Sequence, residues 1–440
     1  MTSVLKRRLA LGLAGFVVLF GLFLGWRWLS WSSESWLNER LGDVARVDWP
    51  QPDDAGLSRL VWLSPDVAFS SGHFTAERLE LTFSPLSILL GNPQVIELTL
   101  DRPLWLSDAA LSSDGLVQLV RLIDTIAPHK LTATQATLAV GDREWNDIEA
   151  AAERLGGSRR YHWQVSGRLV SDRHRLNLTA GAIVRSRDEG LLITEGNGQW
   201  TVSQGPWRGS WRTALRSGTY SDDRWSLEYL SWSGRWPEPG DALPGGLDWA
   251  GAIEQADQLD TGWHLSGLDT ALAFPDEAGV PQRVSALSSD LTVQPGRATG
   301  QLSLSYRSGG EDQNQAQDLT LAVEGRADLS PGAFEWQDAA VLVGLTRADG
   351  SISLRFDAEA LTFDPDRNQW QLTDGEWQEQ RPDRPDQSFG FGVLSGTWPG
   401  LTLREAPTVA ERLNDTLRPI GSQLEWTNAL RRTLVPKAGS

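Results

Sequence analysis

The chain has 440 residues, a formal net charge of −17 and no cysteine. That length allows two or three ordinary domains or one elongated one, and the lack of thiols excludes disulfides, thiolate metal sites and cysteine nucleophiles. The acidic balance, with no Lys/Arg cluster along the sequence beyond the N-terminus, argues against nucleic acid as a partner.

Residues 9–26 form a run of 18 positions without a charge, about 27 Å as a helix and enough to cross a hydrocarbon core. Lys6, Arg7 and Arg8 precede the run, and Trp26, Arg27 and Trp28 close it. By the positive-inside rule this predicts a cytoplasmic segment 1–8, a transmembrane helix over 9–29 and everything later on the far side, with Trp26 and Trp28 in the interface and Arg27 snorkelling between them. A cleaved signal peptide is the rival: Ser30 and Ser32 are small enough for a cleavage site. Against it, the run exceeds a usual h-region, and Trp31 and Trp36 crowd the site. A juxtamembrane segment follows over 30–56, with a short helix predicted at 33–45.

Strand signals begin at residue 57. The chain is organised around residues 74–106, two amphipathic strands joined by a short helical turn. Leu79, Leu81 and Phe83 alternate with Glu80 and Thr82, and Ile96, Leu98 and Leu100 alternate with Glu97, Thr99 and Asp101. That is a period of two, one apolar face and one wet face. The second strand closes on Asp101, Arg102, Pro103, Leu104, Trp105 and Leu106.

A membrane anchor, a strand, a short helix with a leucine-rich turn, and a strand ending in proline before another apolar pair: this arrangement resembles the opening of the AsmA-like family of bacterial envelope proteins. The likeness is clearest over residues 4–170. It implies a single-pass inner-membrane protein of a Gram-negative envelope with most of its chain in the periplasm. It further implies an apolar β-groove that handles phospholipid or another acyl lipid, and a non-enzymatic role in lipid transport or outer-membrane homeostasis, with other envelope proteins as possible partners. The chain departs from longer relatives in being short and in ending with amphipathic helices.

A helix is predicted over 114–126 from Leu116, Val120 and Ile123, stopped by Pro128. Residues 129–155 read as strand, turn and strand, with Trp145 on the second arm. From 161 to 398, segments of about 8 to 12 residues alternate with Gly, Asp, Asn and Pro turns, giving roughly twenty strands in all. Leu302, Leu304 and Tyr306 oppose Ser303, Ser305 and Arg307; Ile352, Leu354, Phe356 and Ala358 oppose Ser353, Arg355, Asp357 and Glu359. Polar stretches at 217–223, 237–246, 309–317 and 379–388 read as long hairpin loops. The β domain thus spans 57–403, and 404–440 carries two short amphipathic helices and a tail. The predicted fold is mainly β: an elongated, curled antiparallel β-sheet, a β-groove or taco, with an N-terminal transmembrane helix and short helices at both ends.

No catalytic triad, metal cluster or phosphate loop is recognisable, so the expectation is a protein without catalysis, metal or cofactor. Gly196, Asn197 and Gly198 read as a hairpin turn and not a nucleotide cradle. Asp222 with Asp223, and Glu311 with Asp312, read as solvated turns and not acid–base pairs. Candidate lining residues of a lipid groove are Leu79, Leu81, Phe83, Ile96, Leu98, Leu100, Leu178, Leu304, Leu321 and Leu354. The apolar face has a second reading, a closed core, which would make the protein a periplasmic scaffold or assembly factor. Trp163, Trp200, Trp207, Trp211, Trp225, Trp232 and Trp236 fit cross-strand packing or, in a third reading, a glycan-stacking platform.

Overall fold

The computed structural model describes residues 51–397, apart from positions 57, 70–71, 91, 108–112, 141–142, 157–158, 171–174, 188–189, 205–206, 222–223, 238–245, 276–278, 309–317, 331, 348–349, 365, 368 and 382–383. The expected anchor with Lys6, Arg7, Arg8, Trp26, Arg27 and Trp28, the juxtamembrane helix and the helices of 404–440 lie outside the described residues. Among the described residues no helix is long and apolar enough to cross a membrane. These residues are mainly β, with 24 strands and two helices. They divide into two compact units, the first built on residues up to 194 with 220–223, the second on 195–219 and 224 onward.

The first unit holds β1 (Asp54–Gly56), β2 (Arg59–Leu63), β3 (Asp66–Phe69), β4 (Gly72–Thr75), β5 (Arg78–Phe83), α1 (Pro85–Leu89), β6 (Val95–Asp101) and β7 (Leu104–Ser107). It continues with α2 (Ser113–Ile126), β8 (Lys130–Val140), β9 (Arg143–Arg154), β10 (Arg160–Val170), β11 (Arg175–Arg187) and the start of β12 (Gly190–Gln204). Helix α1 is the expected turn: Ser84 caps it, Pro85 opens it, and the Ser87 hydroxyl ties it down by donating to the Ser84 carbonyl at 2.7 Å and accepting from the Gln94 N–H at 2.9 Å. Helix α2 ends at Ala127 in the left-handed region (φ 53°), and Pro128 prevents its continuation.

Ile123 and Ile126 on α2 close over Leu60, Trp62, Leu79, Leu81, Phe83, Val95, Leu98 and Leu131, which form one buried core. The sheet beneath them is mixed, which corrects the expectation of an antiparallel sheet at this point. β8 runs parallel to β6, with Leu98 opposite Leu131, and then parallel to β7, with Trp105 opposite Leu138. The cause is α2: its 14 residues span about 21 Å and carry the chain back to the end where β6 began, as a crossover between parallel strands must.

The second unit holds β13 (Trp207–Ser221), β14 (Arg224–Trp236), β15 (Leu247–Leu259), β16 (Gly262–Ser266), β17 (Leu268–Pro275), β18 (Pro281–Gln294) and β19 (Arg297–Ser308). It ends with β20 (Asp318–Ser330), β21 (Ala333–Arg347), β22 (Gly350–Asp364), β23 (Gln369–Arg381) and β24 (Arg384–Thr397). From β17 onward each strand pairs antiparallel with the next. Two stretches expected as long loops are largely strand, since β13 extends to Ser221 and only two residues separate β23 from β24. Ladder bonds satisfy the backbone of these strands whatever the side chain, so a polar stretch need not end a strand; Glu379, for example, stands within β23 directly opposite Leu354. Gly196 to Gly198 likewise lies inside β12 and is not a turn.

Bends recur at one level across successive strands. In the first unit the breaks at Ser64, Glu77 and Arg102 are stitched side by side: Ser64 N–H donates to Glu77 O at 2.9 Å, Glu77 N–H to Asp101 O at 3.0 Å, and Arg102 N–H to Thr134 O at 2.9 Å. Gln135 and Asp147 continue the line at positive φ on β8 and β9. In the second unit Tyr229 sits at positive φ on β14 between the pairs Glu228–Gln255 and Leu230–Ile253, where the ladder is interrupted without a change of register. Gly267 separates β16 from β17, β18 shifts register between Leu287 and Asp290, and Asp338 and Asp374 sit at positive φ on β21 and β23. Each such break resets the in–out alternation of its strand. Trp336 before Asp338, and Ala339 and Val341 after it, therefore join the same buried cluster.

Candidate functional site

The apolar face of the second unit is a grid of directly opposed residues. One row runs Trp232, Gly251, Thr270, Ala286, Leu304, Val323, Val341, Phe356, Trp377 and Phe389. A second runs Gly234, Trp249, Leu272, Val284, Tyr306, Leu321, Val343 and Leu354. The longer row crosses ten strands, which at about 4.8 Å per strand makes an apolar path of about 43 Å. Positions between these residues, such as Arg307, Glu324 and Arg355, are exposed.

Burial divides the face. Over β21 to β24 it is sealed by its own side chains, with Leu354 and Trp377 each only 1% exposed. Trp377 lies 4.9 Å from Phe389 and 6.3 Å from Phe356, both stacked. Over β14 to β20 the row members Trp232, Trp249, Leu272, Leu304 and Leu321 are only half-buried. Tryptophans cover the small residues at that end: Trp200 stacks on Trp211 at 6.0 Å and donates its indole N–H to Thr213 Oγ1 at 3.2 Å. A Cβ on Gly234 would come within 2.5 Å of Trp211 Cβ, so the backbone there lies directly against the tryptophan. Trp232 and Trp249 meet at 5.9 Å. Among the described residues the indole N–H groups of Trp232, Trp336 and Trp377 find no acceptor, so apolar burial and ring packing hold this face together.

The expected lining residues separate into groups. Leu79, Leu81, Phe83 and Leu98 lie in the first unit's core beneath α2, with Leu100 packed at its margin. Leu178 is half-buried on β11, Leu304 and Leu321 border the second unit's core, and Leu354 is within it. Ile96 does not share their face and is 41% exposed. A bulge pairs Thr82 with Glu97 but Phe83 with Val95, so Val95 takes the inward place and Ile96 is turned out. Trp163 packs beside the first core, and Trp225 and Trp236 are half-buried; the side chain of Trp207 lies outside the described residues. Cross-strand packing accounts for Trp200, Trp211 and Trp232.

Sequence patterns did not announce one buried polar pair. Asp124 on α2 and Tyr161 on β10 are 8% and 3% exposed, and among the described residues neither Asp124 Oδ1 nor the Tyr161 hydroxyl has a hydrogen-bond partner. Burial pushes the Asp124 carboxyl above its ordinary range, against the pull of Arg159, Arg154 and Arg185. Burial likewise pushes Tyr161 up to about 12. A carboxyl whose folded pKa is raised binds its proton more tightly in the native state, so its contribution to stability is fully present below its unfolded pKa and is lost as pH rises through the folded pKa. The Asp124→Asn variant has no such loss. Its urea midpoint is expected to exceed that of the unmodified protein by a margin that grows from pH 4 to pH 7, and a margin constant with pH would contradict the assignment.

Among the described residues no three acidic or histidine side chains converge to hold a metal ion. No protein-family model matches the chain, and no curated protein matches it significantly.

Proposed function

We propose that this chain is an AsmA-like, inner-membrane-anchored periplasmic protein that carries phospholipid or another acyl lipid along the apolar face of its second unit, without catalysis. The observation that carries the reading is the half-buried part of that face over β14 to β20, backed by an outward face of charged and small residues. Acyl chains gain about 25 cal/mol for each Å² they withdraw from water, while headgroups stay solvated. The elongated, curled groove implied by the family resemblance is part of this proposal, as is the anchor over 9–29.

A closed-core scaffold or assembly factor is the second reading. It is favoured by the near-complete burial of Leu354 and Trp377 and by the cover that α2 gives the first unit. The two diverge in living cells. Photo-crosslinking residues at Leu304 and Leu321 are expected to capture phospholipid, and the same probes at Ser303 and Arg355 to capture none. Capture of only the protein's own side chains at both inward positions would favour the scaffold.

A further inference from the structure

The first unit gathers two features at one end, where β5 and β9 finish and β6, β8 and β10 begin. The first is an uncharged knob. Residues 84–94 carry no charge, and Leu86 and Leu90, one turn apart on and just after α1, are 66% and 70% exposed. Ile96, at the start of β6, is a third exposed apolar residue at this end, 41% exposed.

The second is a rim of arginines assembled only by folding. Arg159 and Arg160 open β10, Arg185 and Arg187 close β11, and all four are exposed. Arg160 stands directly opposite Arg185, a like-charge cross-strand pair that costs stability unless an anion sits between them. None of the four has a carboxylate within ion-pairing distance among the described residues, whereas Lys130 beside them is matched by Glu97 at 3.2 Å. Glu153 on β9 is a further described acidic group at this end, and Asp188 and Glu189 follow Arg187 in the sequence. Asp124 pulls on Arg159 and Arg185 from beneath, but it is one buried charge and cannot answer four exposed ones. The absence of any Lys/Arg cluster noted along the sequence thus holds in one dimension only.

We infer that this end of the first unit docks on an anionic lipid bilayer, with Leu86 and Leu90 entering the headgroup region and Arg159, Arg160, Arg185 and Arg187 facing the lipid phosphates. Apolar insertion and arginine–phosphate attraction act together in interfacial binding, and neither alone holds a protein firmly on a membrane. The chain leaves room for it. Between Trp28 and Gln51 lie 22 residues, enough to reach about 70 Å when extended. Docking goes beyond the proposed function, since it requires a membrane nearby but no lipid carriage.

The cysteine-free chain permits a single-site test. Full-length protein carrying Leu86→Cys or Leu90→Cys, labelled with an environment-sensitive fluorophore, is reconstituted with phosphatidylcholine vesicles with or without phosphatidylglycerol. The expected result is a blue-shifted emission at both sites with phosphatidylglycerol, reversed by high salt, and a water-like emission at Leu342→Cys, an exposed position of the second unit. Arg160→Glu with Arg185→Glu should cut the docked fraction about tenfold. Water-like emission at both leucine sites while the protein floats with the vesicles overturns docking and leaves the anchor standing. Protein that does not float at all overturns both, and an equal shift in pure phosphatidylcholine overturns the arginine assignment.

Discussion

Leu354→Asp is expected to unfold the second unit, while Arg355→Asp next to it should be nearly silent. Leu354 is 1% exposed, faces Val343 across one strand border and stands directly opposite Glu379 across the other. Removing the leucine costs about 2–5 kcal/mol. A carboxylate there would be buried without a partner and beside another acidic group, which adds several kcal/mol or forces protonation. The total is comparable with the whole stability of a domain, about 5–15 kcal/mol. Arg355 is exposed and gives up only its contact with Asp357 on the same strand, worth at most about 1 kcal/mol. Urea unfolding followed by tryptophan fluorescence reads both variants, and similar midpoints for the two would mean that the register of β22 is wrong.

The second large effect is expected from one methyl group. Gly300 lies on β19 at φ +150°, and a Cβ there would sit 2.0 Å from the backbone oxygen of Asp290. A backbone atom held in a ladder cannot rotate away, so the strands must part or Gly300 must leave its conformation. Gly300→Ala is therefore expected to cost about 3 kcal/mol or more. Gly332 is the control: nothing lies within 4 Å of its position and its φ is ordinary, so Gly332→Ala should be neutral or slightly stabilising. Thermal melts of the two variants should differ by many degrees. Matching melts would place β18 and β19 further apart than described.

Much of this architecture was legible in the alternation of apolar and polar residues. Leu79, Leu81 and Phe83 are buried as their spacing predicts, and the helical periodicity of Val120 and Ile123 marks α2 to within a residue of its ends. The failures have a common cause. A period-two reading assumes an unbroken strand, so it cannot see a bulge, and Ile96 was assigned to the wrong face for that reason. Nor does a strand carry a local mark of its partner, so the parallel pairing of β8 became visible only when α2 returned the chain to its starting end. Arg159 and Arg187 are 28 positions apart in the chain and meet on one rim only because β10 and β11 form a hairpin.

The pairing pattern of the second unit also bears on how such a chain changes length. From β19 to β24 each strand pairs, among the described residues, with its sequence neighbours alone, so each hairpin is hydrogen-bonded to the remainder only through its two flanking strands. Cooperativity in such a ladder is nearest-neighbour in kind, as in repeat proteins. Excising two consecutive strands, β21 with β22 for example, would bring β20 beside β23 in the antiparallel sense that both already use. Excising one would reverse the direction of everything after it. Change by whole hairpins therefore preserves strand direction and pairing sense, so strand number is something selection can adjust two strands at a time.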